Sequence, residues 1–156
     1  MNCKLASILV VILIGSCRTI PCVESNPTLY FVSFSDPQTD SIVLRKCEKG
    51  SAFHTIIDSV IISRNNSIYE KSGDTLHIVT SSYMGEYSLD IQFDYEVYLP
   101  LAGKLFQLSN FTEQQTEMKA GLSLDKNVCI NPIKSYTVNG QVISGATDYH
   151  LIYLKN

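Results

Sequence analysis

Seven residues in the middle of the chain alternate strictly, with Phe93, Tyr95, Val97 and Leu99 separated by Asp94, Glu96 and Tyr98. A period of two is the pattern of a strand, because successive side chains leave opposite faces of a pleated backbone. It therefore predicts the first set on a core and the second in water. Pro100-Leu101-Ala102-Gly103 then turns the chain into Lys104–Leu108, which makes the pair a hairpin.

The rest of the chain after residue 27 repeats this rhythm of short apolar runs and turn chemistry. Leu29–Phe34 is closed by Ser35-Asp36-Pro37, and Asp40–Cys47 ends before Glu48-Lys49-Gly50. Ile56–Ser63 runs into Arg64-Asn65-Asn66-Ser67, Thr75–Thr80 is opened by Ser72-Gly73-Asp74, and Tyr87–Ile91 is a further short candidate. Near the C-terminus, Ile133–Val138 and Gln141–Ser144 flank Asn139-Gly140, whose residues tolerate positive φ and give the strongest hairpin signal in the chain. Tyr149–Leu154 reads as a last strand. Asn110–Lys126 is polar enough to be a long loop or one short helix, and is the first place to look for an interaction surface.

Seven to nine such strands without a long amphipathic helix predict an all-β domain, an antiparallel β-sandwich, since a parallel sheet needs crossover helices. Phe93–Tyr98 also resembles the penultimate strand of immunoglobulin-like and fibronectin-like sandwiches. Composition agrees, with nine Tyr, six Phe and no Trp among segments rich in Val, Ile and Thr. The net charge is -3 and Lys and Arg are scattered, with Arg45-Lys46 the one adjacent pair, so no basic stripe exists to neutralise phosphates and nucleic acid is not an expected partner.

Ahead of this domain, Met1-Asn2-Cys3-Lys4 gives a short positive start and Leu5–Ile14 is an unbroken run of apolar and small residues. A bilayer span needs about 20 such residues, so the run fits the core of a signal peptide. It ends in Ile14-Gly15-Ser16-Cys17, which resembles the lipobox of bacterial lipoproteins: an aliphatic residue, two small residues, then Cys. The resemblance implies that Cys17 receives a diacylglycerol and becomes the first residue of the mature chain, although Ile14 and Ser16 replace the commoner Leu and Gly or Ala. Over its whole length the chain is similar in style to small Gram-negative envelope lipoproteins of unassigned function, the specific likeness covering Met1–Cys17. The expected organisation is a lipoprotein signal peptide over 1–16, a tether over 17–27 containing Pro21 and Pro27, and a β-sandwich over 28–156.

With Cys3 in the signal and Cys17 lipidated, Cys22, Cys47 and Cys129 remain. An oxidising envelope compartment favours one bridge among three possible pairings. Cys47 with Cys129 is preferred, because both follow strand-like runs while Cys22 lies in the tether. No CxxC occurs, so no metal site is expected.

No motif carries recognisable catalysis. His54, His77 and His150 stand isolated, no Gly-x-Ser-x-Gly elbow or phosphate-binding glycine fingerprint occurs, and Asp94 with Glu96 reads as the wet side of a strand. Tyr30, Tyr83, Tyr87, Tyr98 and Tyr136 would stack on sugars or peptides if they shared an exposed face. The expected function is a non-catalytic binding or structural module without cofactors, tied to the membrane of a bacterial cell envelope on its outer-membrane or periplasmic side, with an envelope protein or glycan as partner. Two alternatives remain open. One is an envelope hydrolase using His77 or His150 with nearby carboxylates; the other is a secreted protein, glycosylated at Asn65 or Asn110 if its source is eukaryotic.

Overall fold

A computed structural model describes residues 22, 27–63, 67–79, 89–119, 127–144 and 151–156. Its elements are β1 (Thr28–Val32), β2 (Ser41–Cys47), β3 (Ile56–Ser63), β4 (Ile68–Ser72), β5 (Thr75–Val79), β6 (Asp94–Leu99), β7 (Lys104–Glu113), β8 (Thr116–Lys119), β9 (Asn127–Ile130), β10 (Ile133–Val138), β11 (Gln141–Ser144) and β12 (Leu151–Lys155). A 3-10 turn over Asp36–Thr39 links β1 to β2. No helix among the described residues is long and apolar enough to cross a membrane.

The strands form a six-stranded sheet in the order β11-β10-β7-β6-β2-β3, a four-stranded sheet in the order β12-β1-β5-β4, and a ribbon of β8 with β9. All pairs are antiparallel except β1 with β12, which run parallel with Thr28 opposite Leu151. The expected purely antiparallel arrangement is corrected at that one pair. First and last strands lie far apart in sequence, so no short turn forces them to run in opposite directions.

The two sheets share one core. Leu29, Phe31, Leu76, Ile152 and Leu154 come from the smaller sheet; Ile42, Leu44, Ile62, Tyr95, Val97, Leu99, Phe106, Leu108, Phe111, Ile133 and Tyr136 come from the larger. Each strand contributes alternate residues, as a period of two demands. Phe34, just beyond β1, bridges the layers by edge contacts with Phe31 and Phe106, at centroid distances of 6.1 and 6.2 Å.

The alternation breaks once on each of two neighbouring strands, and the breaks match. In β7 the buried residues Leu108 and Phe111 are three apart, which a regular strand would send to opposite faces. Asn110, at φ 53°, makes a left-handed bulge that brings both inward. In β10, Ile133 and Tyr136 are likewise three apart, and the β7–β10 register shifts between Ile133 and Thr137. The rings of Phe111 and Tyr136 stack at 6.2 Å as a result. The segment expected as loop or helix from Asn110 therefore continues β7 and then forms β8, while 120–126 lies outside the described residues.

The strand over Phe93–Leu99 also departs from expectation. Tyr95, Val97 and Leu99 are buried as predicted, yet Asp94 and Glu96 are buried too rather than in water. The turn after β2 folds over Asp94, whose Oδ2 accepts the Gly50 N–H at 2.9 Å. Glu96 is walled in by Arg45, whose guanidinium is 3.0 Å away, and by the Gln107 side-chain amide at 3.1 Å.

Candidate functional site

The larger sheet has six strands and the smaller four, with β12 at one end of the smaller among the described residues. A groove of about 680 Å³ runs there. Its lining in the smaller sheet is a row across three strands: Lys155, Val32 and Thr75 are direct cross-strand neighbours, with Tyr153 beside them, and all four alternate with the core residues Phe31, Leu76, Ile152 and Leu154. The larger sheet contributes Phe106, Tyr136, Val138 and Ile143 from β7, β10 and β11, all on its inward side. Asn139 and Gln141 complete the lining. Lys155 is the single charged side chain among these described lining residues.

The hairpin between β10 and β11 sets the corner of this groove. Asn139 (φ 49°) and Gly140 (φ 80°) both adopt the left-handed region that a two-residue hairpin requires. The Asn139 Oδ1 accepts the Gln107 N–H at 2.7 Å, its Nδ2 donates to the Leu105 carbonyl at 3.3 Å, and its backbone N–H donates to the Gln107 carbonyl at 2.9 Å. The hairpin is thus pinned to β7 instead of swinging from β10 alone.

Tyr136 ties the two walls together. Its ring is buried against Phe111, and its hydroxyl accepts the backbone N–H of Tyr153 on β12 at 3.3 Å. Burial raises its pKa, so the hydroxyl stays protonated at neutral pH. On the outer side of the smaller sheet, Tyr30 lies flat against His77 at 4.4 Å and tilts toward Tyr153 at 5.4 Å. The ring faces are used on one another there.

The cysteines at the other end of β10 correct the expected pairing. Cys129 is bridged to Cys22, 107 residues away, and not to Cys47. Cys47 is a free, fully buried thiol at the end of β2, opposite Asp94. Burial first, then the Glu96 and Asp94 carboxylates, raise its pKa, with Arg45 opposing. β2 places Cys47 in the larger sheet under the turn after it, whereas Cys129 sits on the β8–β9 ribbon, where residue 22 also lies. Gln115 donates its side-chain amide toward both bridged sulfurs, at 2.8 and 3.4 Å.

The remaining sequence candidates scatter. His77 has Glu70 at 3.8 Å on the smaller sheet, and His54 is exposed on the turn before β3 in the larger, so the two do not meet. Of the five tyrosines, Tyr30 and Tyr98 are half-buried on different sheets and Tyr136 is in the core; they share no face. Asn110 is exposed and bonds through its amide to Ser109 and Thr137. Cys17, Asn65, Tyr83, Tyr87 and His150 lie outside the described residues. Among the described residues no group of three His, Cys, Asp or Glu side chains gathers at metal-binding distance.

Sequence reasoning missed the groove because its walls come from positions near 32, 75, 106, 140 and 154. The Asn139-Gly140 turn was the local signal that pointed to one corner of it. No protein-family model matches the chain, and neither a curated protein nor a solved structure matches it.

Proposed function

We propose that the protein is a lipid-anchored, non-catalytic binding module of a bacterial cell envelope, tied to its membrane through Cys17 and presenting the groove away from that membrane. The observation that carries this reading is the Cys22–Cys129 bridge. A structural disulfide needs an oxidising compartment, which fits export of the chain. The bridge also fixes Cys22 to the body of the domain only five residues beyond Cys17, so the anchor lies within about 18 Å of the bridge along any path.

The bridge and the groove lie at opposite ends of β10. Cys129 precedes its start at Ile133, while Val138 and Asn139 stand at its finish, and a strand of this length spans roughly 20 Å. Two acyl chains bury enough methylenes to hold such a body stably at a surface. For the scaffold, the proposal is a variant of the immunoglobulin-like or fibronectin-like sandwich, supported by two unequal, mainly antiparallel sheets over one core.

Metabolic labelling with an alkyne-tagged fatty acid in a Gram-negative host tests the anchor. The expected result is label on the wild-type chain and on Cys22→Ser, and none on Cys17→Ser. A wild-type chain that takes up no label overturns the proposal.

A further inference from the structure

We infer that Asn139 is a site of chemical modification, where the side-chain amide is lost to the Gly140 nitrogen when the β10–β11 hairpin lifts off β7. This goes beyond the binding-module reading and does not depend on the lipid anchor.

The reaction is a ring closure within the chain. The Gly140 nitrogen gives up its proton to water and bonds to the Asn139 side-chain carbonyl carbon. The bond from that carbon to Nδ2 breaks, and Nδ2 leaves as ammonia with a proton taken from water. One water molecule then opens the five-membered imide. Opening at the side-chain carbonyl leaves an aspartate, and opening at the main-chain carbonyl leaves an isoaspartate, whose backbone runs through the former side chain. No oxidant or reductant enters.

The sequence and the turn place the reaction here. Asn139-Gly140 is the one Asn-Gly pair in the chain, and glycine brings no side chain to hinder its nitrogen. Both residues are exposed, the space beside the Gly140 Cα is open, and the Gly140 N–H donates to no described backbone carbonyl. Base and water therefore reach the reacting atoms. The restraint is the amide's own bonding: Oδ1 is held by the Gln107 N–H at 2.7 Å and Nδ2 by the Leu105 carbonyl at 3.3 Å. While both bonds last, the amide is fixed on β7 and cannot swing to the following nitrogen, and ring closure needs that near-attack geometry.

The hairpin opens at low cost. β11 is a four-residue strand at the end of its described sheet, joined to β10 by four register pairs, with Ile143 alone among its side chains even partly buried. Elements with so few buried contacts open far more often than the whole fold unfolds. The latch and the reactant are thus the same side chain. Either product replaces Nδ2 by an oxygen that repels the Leu105 carbonyl, so a hairpin that has reacted is held less firmly and stays altered. Because Asn139 lines the groove, the new carboxylate also changes its lining.

The test incubates the full chain in mild detergent at neutral pH, folded or in concentrated guanidinium chloride, and follows amide loss at position 139 by peptide mass spectrometry. Loss in the folded chain is expected to be about thirtyfold slower than in the unfolded one, the protection that two hydrogen bonds supply. Ile143→Ala weakens the packing of β11 on the core and alters neither reacting residue. It is expected to speed loss severalfold in the folded chain and to change nothing in denaturant. Where that variant does not fold, Val142→Gly, at an exposed position of the same strand, loosens β11 through its backbone and carries the same expectation. Folded chains aged until half have reacted are expected to exchange the backbone amide hydrogens of β11 faster than fresh ones. Equal loss from folded and unfolded chains, a loosened variant that reacts at the wild-type rate, earlier loss at another asparagine of the folded chain, or unchanged exchange after reaction each overturn the inference.

Discussion

Asn139 performs three tasks with one side chain and one unusual backbone angle, and they separate experimentally. Its φ of 49° is tolerated by Asn and Gly, while its amide bonds to Gln107 and Leu105 belong to Asn alone. Asn139→Gly keeps the turn and removes the bonds, for an expected loss of about 1 kcal/mol. Asn139→Ala removes both, for about 2 kcal/mol. Urea midpoints measure the two, and an Asn139→Gly variant as stable as the wild type would show that the side-chain bonds to β7 carry nothing.

Buried hydroxyls and the buried thiol give the fold a defined alkaline limit. Tyr95 is pushed up to about 12, chiefly by burial, and its hydroxyl lies between the N–H and the carbonyl of Asp90, at 2.7 and 3.2 Å. Cys47, Tyr136 and Tyr30 are raised as well, by burial first in each case. Each group is held neutral in the fold, so its contribution is complete below the unfolded-chain value. It is lost as pH rises, because the unfolded chain gives up its protons first. Denaturation midpoints are expected to fall from about pH 8.5, where a free thiol titrates, and more steeply beyond about pH 10, where tyrosine does. Tyr95→Phe lowers the midpoint throughout but flattens the steep part. A midpoint flat to pH 11 contradicts this account.

Among the elements, legibility in the sequence followed how clean a strand's own apolar pattern or flanking turn was. Ile56–Ser63, Ile133–Val138 and Gln141–Ser144 were read with their observed limits, and Phe93–Leu99 and Asp40–Cys47 to within a residue. Those segments carry clean alternation or a flanking hairpin turn. Ile68–Ser72, Thr116–Lys119 and Asn127–Ile130 were not read as strands: Glu70, Lys71, Glu117 and Lys119 dilute their apolar pattern, and pairing rather than composition makes them strands. The parallel β1–β12 pair, the burial of Asp94 and Glu96, and the groove depend on chain segments brought together from afar, which local periodicity does not encode.

The bridge belongs to this scale too, since it fastens the β8–β9 ribbon to residue 22 across a separation of 107 residues. Closing so long a loop restricts the unfolded chain strongly, and the Cys22→Ser/Cys129→Ser pair is expected to lose about 2–5 kcal/mol. Guanidinium unfolding of the oxidised chain against this variant measures it. A loss below about 1 kcal/mol would mean that the ribbon is held by its strand pairing alone.

At the scale of the whole molecule, the two sheets divide the work. The larger one supplies most of the core, and residues of β7, β10 and β11 line the groove together with residues of β1, β5 and β12 of the smaller. The β-rich body was legible in the sequence. Which thiol the tether contributed was not, because Cys22 has no strand pattern around it. Mass spectrometry of the intact native protein, before and after alkylation under denaturing conditions, tests the central claim most directly. The account predicts a chain that begins at a diacylated Cys17, retains one disulfide between Cys22 and Cys129, and gains one alkyl group at Cys47 only once unfolded. A native chain that begins elsewhere with no lipid, or one whose bridge involves Cys47, contradicts it.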